Sequence, residues 1–155
     1  MEGRPASSSR AEMSHLLLPN EANALGTVHG GIIMRLVDEA GAVAAARHAK
    51  RYCVTAAIDS MSFLAPARVG DLVILKASVN FVGSTSIEAG VRVEMEDILT
   101  GHRTHISSAY IVYVALGADG KPCRVPPLIP ETDEDRRRMA EAAIRRELRR
   151  QRKGA

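Results

Sequence analysis

The chain has 155 residues, a net charge of +3 and an aromatic content of 3%. This length corresponds to one domain with its own core, and no run of about 18 apolar residues is present that would span a bilayer. The start lacks the apolar stretch of a signal peptide, and so few aromatic side chains offer no stacking platform for nucleic acid. We therefore expect a cytoplasmic protein that binds neither membrane nor nucleic acid.

Residues 1–12 are small and polar and show no periodicity, so we predict that they are disordered. The predicted domain spans residues 13–118 and begins with a short strand near residues 15–18. The loop that follows contains Asn23 and ends at Gly30 and Gly31. Glycines here permit a sharp entry into a helix and let a ligand approach the first N–H groups of that helix, which have no internal partner.

A long helix is predicted from Ile32 to about His48, because this segment is rich in Ala, Ile, Leu and Val and contains no proline. Its apolar stripe, which should face the core, consists of Ile33, Leu36, Val37, Ala40 and Ala44. Asp38 lies outside this stripe, on a row of small or uncharged residues formed by Gly31, Met34, Gly41 and Ala45. Such a row leaves space beside the acid for a ligand or a partner chain. Arg35 can reach Asp38 or Glu39, and the spacing leaves both pairings open.

Four strands are predicted after the helix. The segments 73–81 and 87–95 alternate apolar and polar residues, which is typical of antiparallel strands with one buried face. The segment 103–116 is apolar on both faces and is predicted to be an interior strand, and residues 54–63 form a strand that ends before Pro66. One early helix followed by a meander of strands predicts an α+β fold.

Residues 119–131 form a predicted linker with a turn and a proline-rich stretch, and residues 132–155 a second helix. Thr132 is its predicted N-cap, and three acids follow where the helix dipole favours them. The helix is basic, and its arginines either attract a polyanion or form a solvated face, the second being the simpler interpretation. A narrow apolar row on this helix is formed by Ala140, Ile144 and Leu148.

The sequence contains no pattern for metal or serine catalysis. His102 and His105 are three residues apart in a strand, so they face opposite sides, and no other cluster has the spacing of metal ligands. A G-x-S-x-G motif is absent. Cys53 and Cys123 have no neighbouring cysteine, so we expect reduced thiols. We predict that the protein holds no metal.

The strongest signal is a set of six residues that keep both identity and spacing with a known pattern: Asn23, Gly26, Val28, Gly30, Gly31 and Asp38. With it, the sequence from about His15 to Leu116 resembles the acyl-CoA thioesterases of the hotdog fold, particularly the short bacterial acyl-CoA hydrolases and the repeated domains of brain-type acyl-CoA hydrolase. Further matching segments are 59–66, 69–71 and 82–86.

This resemblance implies an antiparallel sheet wrapped around one long helix, and a dimer whose sheets pair edge to edge and whose active sites are shared between chains. It implies hydrolysis of acyl-CoA to free fatty acid and coenzyme A, without a cofactor. Asp38 would act as general base or nucleophile, Asn23 of the partner protomer would orient the water or the carbonyl, and the Gly31 N–H would stabilise the oxyanion. A trimer of dimers is the larger assembly that the relatives commonly form.

The resemblance also implies the residues that bind substrate. The groove for the pantetheine and phosphate portion of coenzyme A would be lined by Gly83, Ser84, Thr85 and Ser86. Gly30 lies at the helix entry beside the substrate, and His29 is expected at the rim of the site without a catalytic role. Independently of the resemblance, the charge of the C-terminal helix leaves it as an alternative binding site for those phosphates, although a solvated face is the simpler interpretation.

Two other functions remain open for this fold. A non-catalytic acyl-CoA sensor would not need Asp38 and Asn23 together, and a chain this short has no attached DNA-binding module. An acyl-CoA hydratase uses an Asp–His pair, but His48 lies too far beyond Asp38 along the helix to serve. Release of coenzyme A distinguishes hydrolysis from both.

Overall fold

A computed structural model describes residues 1–154, in which one long helix, α1 (Gly30–Ala49), lies against one face of an antiparallel sheet. The five residues of the predicted apolar stripe are all buried. The helix ends at Lys50, whose φ of 53° places it in the left-handed conformation that closes many helix C-termini. The predicted helix and its core face are therefore confirmed.

Seven strands are present in the described part of the chain: β1 (Arg4–Pro5), β2 (Ala11–Leu16), β3 (Cys53–Phe63), β4 (Leu72–Val82), β5 (Ser86–Glu96), β6 (Arg103–Ala115) and β7 (Leu128–Ile129). Five of them form one sheet in the order β2-β4-β5-β6-β3, and every neighbouring pair is antiparallel. Alternate residues of β4 and β5 face α1 and are buried, as the period-two pattern predicts. β3 is an edge strand of this sheet.

The N-terminal segment is ordered, so the prediction of disorder for residues 1–12 is wrong. β1 pairs in parallel with β7, and a short 3-10 helix, Ala6–Ser9, follows it. Ser9 is fully buried, and its hydroxyl accepts a hydrogen bond from the N–H of Val79 at 3.0 Å. Small residues in this segment allow it to approach β4 closely. The segment is held in place by residues far along the chain, and such distant contacts produce no periodic pattern in the local sequence.

The predicted linker, residues 119–131, is packed against the domain, with Val125 and Leu128 buried. The second helix, α2 (Asp133–Gly154), begins after Thr132 as predicted. The Thr132 hydroxyl accepts a hydrogen bond from the N–H of Asp135 at 3.0 Å, and the Asp135 carboxylate accepts one in return from the N–H of Thr132. This reciprocal capping satisfies donors that the helix itself leaves free.

Ion pairs hold α2 against the outer face of the sheet. Arg145 donates to Glu88 of β5 at 2.7 Å and stacks on the ring of Tyr110, with its Cζ 3.6 Å from the ring centroid. Arg149 lies 3.3 Å from Asp59, which is 4% exposed. The apolar row of the helix points away from the sheet instead, since Ile144 and Leu148 are 61% and 50% exposed.

No helix in the described part of the chain has the length and apolarity that crossing a membrane requires.

Candidate active site

Asp38 lies near the middle of α1, where the helix passes the β3 end of the sheet. Its Oδ1 accepts a hydrogen bond from the Thr55 hydroxyl at 2.7 Å and another from the Tyr113 hydroxyl at 3.1 Å. Among residues 1–154, its Oδ2 accepts no hydrogen bond. The carboxylate is therefore fixed through one oxygen, while the other is free to accept a proton from a ligand or water.

Tyr113 is fully buried beneath the helix, where it orients Asp38. Its single hydroxyl hydrogen is shared between the Asp38 Oδ1 and the main-chain oxygen of Asp38, the latter at 2.9 Å. Burial and the nearby Asp38 carboxylate raise the pKa of Tyr113, so the hydroxyl keeps its proton and remains a donor. Gly41 makes room for it, because a Cβ on Gly41 would come within 2.4 Å of the hydroxyl oxygen.

The first turn of α1 presents free backbone donors. His29 precedes the helix without a side-chain cap, and neither Gly30 nor Gly31 donates its N–H to a backbone acceptor within the described chain. Both glycines are exposed. Unpaired N–H groups at the positive end of a helix can bind a developing oxyanion.

An apolar cleft of about 310 Å³ opens beside this helix start. Its lining residues are Val28, Gly30, Ile33, Phe63, Leu64, Ala65, Pro66, Ala67 and Ile106. Several belong to the segment 59–66 that matched the known pattern. A cleft of this composition suits a hydrocarbon chain rather than a polar group.

The Asn23 carboxamide holds its own loop together. Its Oδ1 accepts hydrogen bonds from the N–H groups of Leu25 and Thr27 at 2.9 and 3.3 Å, and its Nδ2 donates to the Thr27 hydroxyl at 2.9 Å. Asn23 makes no contact with Asp38 in the same protomer. One chain alone therefore does not bring these two predicted site residues together.

Glu21 supports this loop, although sequence reasoning did not select it. The carboxylate is buried and accepts hydrogen bonds from the N–H of Leu18 at 2.9 Å and from the ring of His15 at 3.0 Å. These bonds lower the pKa of Glu21. Arg35 lies 3.8 Å from Glu21 and 3.9 Å from Glu39, so the pairing that the sequence left open does not involve Asp38.

Gly31 and Asp38 are also too far apart to act on one carbonyl within a chain. Seven residues of helix separate them by about 10 Å at a rise of 1.5 Å per residue. This spacing favours a site in which the oxyanion donor and the acid come from different chains.

The predicted groove residues, Gly83 to Ser86, form the turn between β4 and β5. The N–H of Gly83 donates to the Ser86 carbonyl at 2.8 Å, and the Ser84 carbonyl accepts from the N–H of Val125 at 3.0 Å. Ser86 lies opposite Val114 in the sheet, and Val114 lies opposite Val54, the neighbour of Thr55. The turn and the Asp38 anchor are thus at the same end of the sheet.

Cys53 is a poor nucleophile in this position. Both cysteines are free thiols, as predicted. Burial, with a smaller contribution from Cys123, raises the pKa of Cys53 to about 11, so the reactive thiolate is scarce at neutral pH.

Comparison with known proteins agrees with this geometry. The thioesterase superfamily model matches residues 25–102. A solved structure of an apo-hexameric acyl-CoA thioesterase is 39% identical, with a TM-score of 0.94 and coverage of 98% of this chain and 97% of that chain. The acyl-CoA hydrolase of Staphylococcus aureus, solved with butyryl coenzyme A, coenzyme A and coenzyme A disulfide, is 32% identical, with a TM-score of 0.90 and coverage of 97% and 92%.

A curated relative, the uncharacterized acyl-CoA thioester hydrolase YkhA of Bacillus subtilis, is 37% identical over 86% of this chain and 78% of its own length. The five-stranded antiparallel sheet and its central helix match the hotdog fold of these thioesterase structures. The chain belongs to the thioesterase superfamily.

Proposed function

We propose that this protein hydrolyses acyl-CoA to a free fatty acid and coenzyme A, with Asp38 as the reacting acid. The proposal depends on one observation above all: Asp38 is fixed by two hydroxyls through one oxygen and free at the other. A non-catalytic acyl-CoA sensor has no use for a carboxylate held in this way.

In the general-base route, Asp38 takes a proton from water while the water oxygen attacks the thioester carbonyl carbon. The tetrahedral intermediate then breaks its C–S bond, and the leaving thiolate takes the proton from Asp38. In the nucleophilic route, Asp38 attacks directly, the thiolate leaves, and water hydrolyses the resulting anhydride. Both routes need the Gly31 N–H for the oxyanion and Asn23 to orient water or the carbonyl. Neither needs a cofactor or a metal ion.

A dimer supplies the missing half of each site. β3 is an edge strand with exposed apolar residues along it, and such an edge pairs readily with a second copy. Pairing two copies of β3 about a twofold axis sets the two α1 helices side by side and antiparallel. The partner's helix start, with its Gly31 and its Asn23 loop, then approaches Asp38. Relatives solved as hexamers support a trimer of such dimers.

Variants of the S. aureus hydrolase support the choice of residues. Its solved structures include alanine replacements of one asparagine, one aspartate and one threonine. The separations between those three positions equal those between Asn23, Asp38 and Thr55 here. The third of these is the residue whose hydroxyl binds Asp38.

The structure also offers candidate binding regions for the acyl chain and the coenzyme A moiety of the substrate. The apolar cleft beside the helix start fits the acyl chain, because its wall contains Gly30 and so adjoins the oxyanion donors. His29 stands between the lining residues Val28 and Gly30, and it is our candidate for a rim contact. The turn from Gly83 to Ser86 is our candidate for the coenzyme A moiety.

The test is release of free coenzyme A, followed with a thiol reagent, for the wild type, Asp38→Asn and Glu39→Gln. Glu39 is the matched control, since it is the neighbouring acid on the same helix and is exposed. We expect Asp38→Asn to lower kcat at least about 100-fold, as for loss of a positioned base, and Glu39→Gln to stay near the wild type. A chelator should leave turnover unchanged. Near-normal turnover in Asp38→Asn would refute the mechanism.

A further inference from the structure

Three arginines of α2 face the sheet, and they have different partners. Arg145 and Arg149 pair with the buried acids Glu88 and Asp59. Arg146, between them, is half-buried, yet within residues 1–154 it forms neither an ion pair nor a side-chain hydrogen bond. Its Cζ lies 5.6 Å from the centroid of the Phe81 ring. A cation that loses part of its hydration without gaining a counter-charge calls for an anionic partner.

The guanidinium of Arg146 lies against the turn at Gly83. A Cβ on Gly83 would come within 3.3 Å of Arg146 Nη2 and within 2.7 Å of the Ser86 hydroxyl. The backbone of Gly83 does not have a positive φ. Glycine is therefore favoured here by space and not by conformation, since a Cβ would meet the Ser86 hydroxyl first and would also crowd the Arg146 guanidinium.

The same turn offers further groups that bind anions. Ser84 is exposed, and in the described chain neither its hydroxyl nor that of Thr85 forms a hydrogen bond. Arg146 brings a planar fork of donors that matches the oxygens of a phosphate. Hydroxyls and a guanidinium around one turn form a recognition site for a phosphate ester.

The turn also lies within reach of an elongated substrate. Ser86 is separated from the Thr55 end of β3 by two strand spacings, or about 10 Å. A thioester held at Asp38 can therefore extend its leaving group along this end of the sheet to Gly83. The matched family region ends at residue 102, so α2 and Arg146 lie outside it.

We propose that Arg146 binds the phosphate groups of coenzyme A and so selects acyl-CoA over uncharged thioesters of pantetheine. This inference rests on the proposed function. The basic helix then has a specific role. Arg145 and Arg149 attach it to the sheet, and this attachment places Arg146 where it can contact the substrate.

The experiment compares the wild type with Arg146→Gln, Arg146→Lys and Arg136→Gln. Arg136 is the control, because it lies on the same helix, is exposed and pairs with Asp133 at the helix start. Each enzyme is assayed with butyryl coenzyme A and with butyryl pantetheine. Binding of coenzyme A and of pantetheine is measured separately by calorimetry, which does not require turnover.

For Arg146→Gln we expect KM for butyryl coenzyme A to rise about tenfold or more, because one charge-assisted hydrogen bond to phosphate is lost. Its kcat, and its KM for butyryl pantetheine, should remain within about twofold of the wild type, and coenzyme A affinity should fall in parallel. Arg146→Lys keeps the charge without the fork and should be intermediate. Arg136→Gln should behave as the wild type.

Equal coenzyme A affinity in Arg146→Gln and Arg136→Gln would overturn the inference while leaving hydrolysis intact. A rise in KM that is the same for both thioesters would also overturn it, because the residue would then act on the fold and not on phosphate. If the wild type releases no coenzyme A at all, the proposed function fails, and the calorimetric comparison still decides whether Arg146 binds phosphate.

Discussion

At the scale of single residues, the site depends on two hydroxyls that hold one carboxylate oxygen. Thr55 and Tyr113 come from β3 and β6, which pair side by side, and Asp38 comes from the helix that covers them. The acid is thus oriented by elements far from it in sequence. Its position in the site is a property of the tertiary structure and not of α1 alone.

Thr55→Val tests this orientation, since valine keeps the shape of threonine and removes the hydroxyl. We expect kcat to fall about tenfold, because Asp38 loses its shorter hydrogen bond and its rotamer is no longer fixed. Thr55→Ser restores a hydroxyl and should recover most of the loss. The measurement is steady-state release of coenzyme A, and wild-type turnover in Thr55→Val would argue against a positioning role.

His48 determines a second residue-level property, the dependence of stability on pH. It is fully buried, its Nε2 is 2.7 Å from the Pro126 carbonyl, and its Nδ1 has no partner in the described chain. Burial lowers the pKa of His48 below its ordinary value of 6.5, although the hydrogen bond to Pro126 opposes this shift.

The unfolded chain therefore binds a proton near pH 6.5 that the folded chain does not. Stability should be unaffected by this group above that pH and should fall as the pH drops below it, because only the unfolded chain then gains the proton. His48→Gln keeps a donor for Pro126 without a titrating ring, so its urea midpoint should change less below that pH. Parallel curves for both proteins would exclude His48 as the cause.

At the scale of elements, the sequence predicted the parts that have a local pattern. The apolar stripe of α1 and the alternation along β4 and β5 each appear within one segment, and each is confirmed. Ser9 was missed because its partner, Val79, is seventy positions away. The docking face of α2 was not predicted, because it consists of arginines that pair with the acids Glu88 and Asp59 on distant strands, and no local pattern indicates those partners.

The pair of Arg145 and Glu88 should dominate the docking of α2. Glu88 has a side chain that is 2% exposed, so Arg145→Met leaves a buried carboxylate without its counter-charge and should cost about 3 kcal/mol. The double variant Glu88→Met/Arg145→Met removes both charges and should recover most of that loss. Arg137→Met breaks exposed pairs and should cost less than about 1 kcal/mol. Urea unfolding measures all three, and equal effects of Arg145→Met and Arg137→Met would contradict this account.

At the scale of the whole molecule, the proposed mechanism makes catalysis a property of the assembly. Gly31 and Asp38 of one chain are about two helical turns apart, and Asn23 is bonded within its own loop. Sequence resemblance anticipated a shared site but gave no distances. The described protomer supports the proposed sharing, because Asp38 and Gly31 are about 10 Å apart along one helix.

Mixing two inactive variants tests the shared site. In a dimer of Asp38→Asn with Asn23→Ala, one site carries both substitutions and the other carries neither. After complete subunit exchange, about a quarter of wild-type activity should return, because half of the dimers are mixed and each has one intact site. Exchange is verified by mass spectrometry of differently labelled chains. If mixed dimers form without any recovery, the sites lie within single protomers.

Tyr113 packs closely against Gly41, and the same tyrosine hydroxyl donates to Asp38. This one contact therefore affects both the packing of the core and the orientation of the proposed reacting acid. Core redesign for thermostability normally fills small gaps, and a glycine in a buried helix is an obvious target for alanine. At position 41 that replacement would push the tyrosine hydroxyl out of line with the acid. If the proposed mechanism holds, engineered libraries should keep positions 41 and 113 constant, since a more stable protein obtained by changing them would lose turnover.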